Sequence, residues 1–277
     1  MIIDKNIAYK RIGERELNLT FLPPKESLYK SAPLYFIIPG GGWHTESRQS
    51  IIDFSNESVS ALRKYGFAVV SIDYRVTEDG TTNMYDILED CFDAISYVCE
   101  NSKNLKIDTD NIILSGHSAG AHLALMLGYC NPERFSKNTK NYTIKGIAVM
   151  SAPTVLYDKG THNLSNSINA AFRNCDYEKA AKETSPIEYV NKDCPPTLLC
   201  AATSDYLVFA KSSEMLHKKL VEKNVETDII LSICGGHSFE KVHSCIEPSI
   251  SMNDIQSKII EFALSHIDKK QYKENKK

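Results

Sequence analysis

Six short runs of β-branched and aliphatic residues recur along the chain, separated by longer stretches with helical spacing, and this alternation constrains the fold more than any other feature. The runs cover 34–38, 67–73, 111–115, 144–151, 197–203 and 227–233, and the helical patterns lie near 50–64, 84–101, 119–130, 207–223 and 252–266. Continuous apolar runs suit strands buried on both faces, and alternation with helices supplies the crossovers that parallel strands need, so the expected class is α/β. Ahead of them, residues 7–12 and 16–22 flank Gly13-Glu14-Arg15, which predicts an antiparallel hairpin opening the sheet. The expected total is about eight strands in one mostly parallel sheet flanked by helices. No Ser/Gly-rich linker, low-complexity tract or repeat divides the chain, so residues 1–277 are expected to form one domain. The stretch 154–192 is longer than an ordinary crossover and carries Asn163-Leu164-Ser165-Asn166 and Ser185-Pro186. It is expected to form a small cap or lid over the strand ends.

A formal charge of −3 gives no sign of a nucleic-acid surface, and the basic tail 268–277 reads as a solvated end. No apolar run approaches the ~18 residues needed to span a bilayer, and Met1-Ile2-Ile3-Asp4-Lys5-Asn6 lacks the pattern of a secretory leader. The expectation is a cytoplasmic chain that acts away from membranes; its oligomeric state is not encoded in any feature above. The eight cysteines form no C-x-x-C pair and no His/Cys cluster of zinc spacing, so they read as reduced core thiols.

Gly116-His117-Ser118-Ala119-Gly120 stands between a strand pattern and a helical one. A serine on so sharp a turn is exposed, and the helix N-terminus behind it favours developing negative charge. The G-x-S-x-G letters alone arise by chance in roughly one chain in ten of this length, so the placement carries the weight. Pro39-Gly40-Gly41-Gly42-Trp43 follows another strand, where consecutive glycines turn free N–H groups into a cleft, as an oxyanion hole requires. Asp205 follows the run ending at Thr203, and His237 follows the run ending at Ile233, so both leave the same sheet edge as Ser118. The chain order Ser, Asp, His is the one recorded for this fold.

From the hairpin near Ile7 to His237, the chain resembles α/β hydrolases of the hormone-sensitive-lipase-like and feruloyl- and acetyl-esterase group, and Ser71-Ile72-Asp73-Tyr74-Arg75 matches a further segment of such enzymes. The resemblance implies the α/β-hydrolase fold, with Ser118 as nucleophile, His237 as base, Asp205 as orienting acid, and the amides of Gly41, Gly42 and Ala119 as oxyanion hole. It implies hydrolysis of small-molecule carboxylic esters through an acyl-enzyme, without metal or organic cofactor. The chain departs from the group's His-Gly-Gly-Gly pattern at Pro39, a variation similar to that of bacterial acetyl esterases acting on carbohydrate esters.

Rival assignments are weaker. His117 lies inside the elbow and His122 one turn beyond it, pointing along the helix, so neither is expected to be the base. Asp193 precedes its strand and Asp228 begins one, at the wrong edge for the acid. Trp43 and His44 are the candidate substrate contacts, with Trp43 either packing beside the acyl pocket or shielding the loop. Glu46, Ser47 and Arg48 are candidates for gripping a sugar or carboxylate, with a simple helix cap as the alternative for Ser47. Short acyl groups are expected, since 154–192 is moderate in length and rich in Asn, Lys and Asp. Competing functions are an arylformamidase-like amidase using the same triad, a non-catalytic binding protein of the same fold, and a peptidase.

Overall fold

The computed structural model describes residues 5–45 and 47–268, so Glu46 and all of the basic tail after Asp268 lie outside the described residues. In chain order the elements are β1 (Lys5–Ile12), β2 (Arg15–Leu22), β3 (Ala32–Ile38), α1 (Arg48–Phe54), α2 (Asn56–Lys64), β4 (Ala68–Ile72), α3 (Met84–Glu100), α4 (Ser102–Leu105) and β5 (Ile107–His117). They continue as α5 (Ala119–Tyr129), β6 (Ile144–Met150), α6 (Ser165–Ala171), α7 (Tyr177–Glu183), β7 (Thr197–Ala202), α8 (Ala210–Glu222), β8 (Thr227–Ser232) and α9 (Met252–His266). The eight strands form one sheet in the order β1-β2-β4-β3-β5-β6-β7-β8. The β1/β2 and β2/β4 pairs are antiparallel and every later pair is parallel, as the α/β-hydrolase reading requires.

The central strands are apolar because both faces are covered: every residue of β3, β4 and β7 is buried. One face packs Leu62 of α2 and Ile255 and Ile259 of α9 against Tyr35, Ile37 and Val69. The other packs Ile87 and Phe92 of α3, Leu123 and Met126 of α5 and Leu216 of α8 against Phe36, Leu114 and Val149. Functional residues therefore collect at the carboxyl ends of the strands, where neither layer covers them.

The first predicted helix and the start of β5 differ from the sequence pattern. The single helix near 50–64 is two helices, broken at Ser55, because Gln256 of α9 enters the break: its Oε1 accepts from Ser58 N at 2.9 Å and its Nε2 donates to Phe54 O at 3.2 Å. Strand β5 begins at Ile107, earlier than 111, with a register shift between Ala32/Ile107 and Leu34/Ile112. The polar Asp108 and Asp110 mask that extension in sequence, and Asp108 answers its own turn by accepting from Asp110 N and Asn111 Nδ2.

Residues 154–192 hold α6, α7 and a short 3-10 turn at Pro186–Tyr189. They are bolted down. Thr161 and Asn163 bond the backbone of Phe209 and Leu207, Thr154 bonds Ser212, and Ile168, Ala171, Ala180 and Ala181 enter the core. Pairing at 207–209 also explains why α8 starts at Ala210 and not at 207.

At the other edge, Lys10 Nζ lies 2.9, 2.7 and 2.6 Å from Glu89, Asp90 and Asp93, and Arg75 pairs with Asp86, Glu89 and Asp90. Glu89, Asp90 and Asp93 are the only group with metal-ligand spacing among the described residues, and the two cations pair with it. Burial pulls the Lys10 ammonium down, but its bonds to Asp90, Asp93 and Glu89 outweigh this and raise it. Because the Asp90 side chain is wholly buried between two cations, Asp90→Ala is expected to destabilise the fold by about 3 kcal/mol in urea unfolding. An unchanged midpoint would show that the neighbouring carboxylates carry the network.

Candidate active site

Ser118 is the single residue between β5 and α5, with φ +55° and ψ −121°, a conformation a side-chain-bearing residue adopts only under constraint. The constraint is visible on both sides. Its amide donates to Met150 O at 2.9 Å, and its carbonyl starts the helix by accepting from His122 N at 3.1 Å. Gly120 lets α5 press against β3, since a Cβ there would overlap Ile38 O and lie 2.6 Å from Pro39 O. Ser118 Oγ makes no hydrogen bond to another described residue, His237 included.

The candidate acid and base, which follow β7 and β8, come together. Asp205 Oδ2 lies 2.7 Å from His237 Nδ1, while Asp205 Oδ1 accepts from Leu207 N at 2.8 Å and Val208 N at 2.9 Å. The buried carboxylate thus has one oxygen fixed by backbone and the other given to the imidazole. The backbone of His237 is anchored to the elbow: its carbonyl accepts from Ser151 Oγ at 2.8 Å and from His117 Nε2 at 3.0 Å. His117 therefore ties the backbone of His237 to the residue that precedes Ser118. Asp193 and Asp228 are exposed and take no part. Glu240 accepts from Ser238 N at 2.7 Å, one residue beyond the base.

The glycine loop turns through three successive positive φ angles, +109° at Gly41, +62° at Gly42 and +60° at Trp43. Tyr74 Oη holds its start by donating to Pro39 O at 2.9 Å and Gly40 O at 3.2 Å, a buttress that Pro39 itself does not provide. A Cβ on Gly40 would lie 2.8 Å from His117 O and 3.5 Å from Ser118 Cβ, so the loop lies directly on the elbow. The amides of Gly41, Gly42 and Ala119 donate to no group among the described residues.

Trp43 requires a correction. Its side chain has 0% exposure and packs in the core, so it is not presented to the cleft as a substrate contact would be. Its Nε1 donates to His122 Nδ1 at 3.3 Å, and His122 Nε2 lies 2.7 Å from Thr184 O, which removes His122 from consideration as base. His44 is exposed, with Nδ1 3.3 Å from Thr77 Oγ1. Ser47 caps α1 by accepting from Ser50 N, and Arg48 is committed to Asp73 and Thr20 rather than free for a ligand. A cavity of about 420 Å³ adjoins the elbow, lined among others by Gly40, Gly41, Thr45, Phe54, His117 and Ser238.

Sequence reasoning missed Tyr74 as loop buttress and His117 and Ser151 as anchors of His237. Tyr74 lies within the segment 71–75 that the resemblance picks out, whereas the anchoring role of His117, a residue set aside only as base, has no sequence signature. Among the described residues no helix is long and apolar enough to cross a membrane.

A BD-FAE family model matches residues 20–220. The chain is 29% identical over 132 residues to the non-reducing polyketide synthase Preu6 of Preussia isomera, covering 45% of this chain and 6% of that one. It is 25% identical to the esterase LipQ of Mycobacterium tuberculosis, covering 84% of this chain and 56% of that one. It therefore spans about half the length of LipQ and a small fraction of the synthase. Among solved structures, butyrate-bound esterase 2 of the planctomycete Thermogutta terrifontis superposes with a TM-score of 0.78 at 17% identity, covering 95% of this chain and 94% of that one.

Burial holds both His117 and His122 down to about 4, from an ordinary 6.5, with the charge of nearby His237 adding to the effect on His117. Between those values the unfolded chain binds more protons than the folded one, so stability falls as pH drops from 6.5 toward 4 and is flat in this respect above 6.5. Urea midpoints across that window are expected to fall with pH, and to fall less steeply in His122→Gln. A midpoint that rises on acidification would contradict the burial of neutral imidazoles.

Proposed function

The chain belongs to the BD-FAE family, with the α/β-hydrolase fold, and from that premise we propose that it is a serine carboxylesterase hydrolysing short-chain acyl esters, carbohydrate acetates among them, through an acyl-enzyme. The observation that carries the reading is the 2.7 Å contact between Asp205 and His237, with the His237 backbone bonded to the residue next to Ser118.

In this mechanism His237 takes the proton of Ser118 as its Oγ attacks the ester carbonyl. Negative charge then develops on the carbonyl oxygen, and the amides of Gly41, Gly42 and Ala119 receive it, each worth about 3 kcal/mol of barrier. Asp205 fixes the imidazole with Nδ1 protonated and stabilises the imidazolium. His237 returns the proton to the leaving alcohol and then activates water against the acyl-enzyme. No step calls for a metal or organic cofactor.

Short acyl groups are supported by the packed segment 154–192, which lacks the freedom of a large apolar lid, and by Ser167 Oγ, 3.2 Å from where a Gly42 Cβ would stand. The small acid held by the structurally similar Thermogutta esterase fits the same size. Hydroxyls of Thr45, Ser50 and Ser238 around the adjoining cavity support a polyol or sugar as the alcohol, and exposed His44, two residues beyond the glycines, is the candidate substrate contact. The eight cysteines form no disulfide, and five of them are buried, which supports a reducing, cytoplasmic setting.

Rates on p-nitrophenyl acetate, butyrate and decanoate, for the wild type and Ser118→Ala, test the reading. Loss of about 10⁴-fold or more in the variant is expected, with acetate and butyrate turned over faster than decanoate. Equal rates in both proteins would remove Ser118 as nucleophile, and preference for decanoate would refute the short acyl pocket.

A further inference from the structure

Trp43 and His122 are 79 positions apart and both wholly buried, with rings 5.2 Å apart and near perpendicular at 86°. An indole N–H only donates and a carbonyl oxygen only accepts. The bonds Trp43 Nε1 to His122 Nδ1 and His122 Nε2 to Thr184 O therefore coexist only when Nδ1 is bare and Nε2 carries the proton. Burial keeps this imidazole neutral above a pKa of about 4, so the tautomer holds at neutral pH. Thr184 is itself fixed, closing α7 with its hydroxyl on Ala180 O at 2.7 Å.

We propose that His122 is a positioning residue for the oxyanion hole, holding Trp43, and through it the Gly41 and Gly42 amides, in register with Ser118. The inference rests on the esterase reading above.

The loop needs such a tie. Three consecutive positive φ angles are not self-supporting, and Trp43, which bears a side chain, occupies the left-handed region at a cost. Tyr74 fixes only the upstream end, at Pro39 and Gly40. Downstream, Trp43 is held by its carbonyl, which accepts from Thr77 N at 2.9 Å, and by its indole on His122. His122 lies one turn beyond Ser118 in α5, the helix whose first amide is Ala119. One rigid helix thus carries the nucleophile, the third oxyanion donor and the post that sets the other two. Thr184 ties that post to the 154–192 segment and prevents the ring from turning.

The test compares Trp43→Phe, which keeps an aromatic ring and removes the N–H, with His122→Met, the double variant, and His122→Gln, whose amide keeps a donor and an acceptor. Each is assayed for kcat and KM on p-nitrophenyl acetate, for inhibition by a trifluoromethyl ketone that forms a tetrahedral oxyanion on serine, and for urea stability. Trp43→Phe and His122→Met are each expected to lose about tenfold in kcat with KM within about twofold, and ketone affinity is expected to weaken by a similar factor. The double variant is expected to be no slower than the slower single, since both remove one bond, and His122→Gln to recover most of the loss. An unchanged kcat in Trp43→Phe, losses that multiply in the double variant, or undiminished ketone affinity would overturn the proposal while leaving the esterase reading intact. A wild type that turns over no ester, or Ser118→Ala that keeps full activity, would overturn both.

Discussion

The close approach of α5 to β3 at Gly120 is the constraint on which the rest of this site depends. With hydrogen alone at that Cα, the helix lies against the carbonyls of Ile38 and Pro39, and the chain must turn from strand to helix within Ser118. That turn holds Ser118 in a backbone region that costs of order 1–3 kcal/mol. The bonds from Ser118 N to Met150 O and from His122 N to Ser118 O offset it, and the apolar body of α5 in the core locks it. The same approach brings Gly40 onto His117 and Ser118, so the proposed nucleophile and oxyanion loop share one contact.

From that contact the other parts are fixed in sequence. His117 and Ser151 seat the His237 carbonyl, Asp205 orients its ring, and the Leu207 and Val208 amides hold Asp205. Residues 161–163 pair with 207–209, so the segment over the strand ends also braces the acid loop. The site is a closed set of backbone-anchored side chains, and catalysis on this account depends on groups placed before substrate arrives.

What was legible in the sequence was what strand ends dictate. Ser118, Gly41, Asp205 and His237 each follow an apolar run, and parallel strands deliver such residues to one edge, so grouping them needed only the alternation and the chain order. Less visible was anything set by a partner distant in sequence. Gln256 splits the first helix nearly two hundred residues away, the polar Asp108 and Asp110 conceal the start of β5, and the bond between Trp43 and His122 turns an expected substrate contact into a buried support. An aromatic residue beside a glycine loop reads alike whether it faces the cleft or the core, and only the packing decides.

The most direct test of the account is to incubate the protein with a fluorophosphonate, which reacts with serines activated by a neighbouring base, and to locate the adduct by peptide mass mapping. The account predicts one adduct per chain, on Ser118, formed far more slowly when His237 is replaced by alanine. An adduct on another residue, or labelling of Ser118 at the same rate without His237, would contradict it.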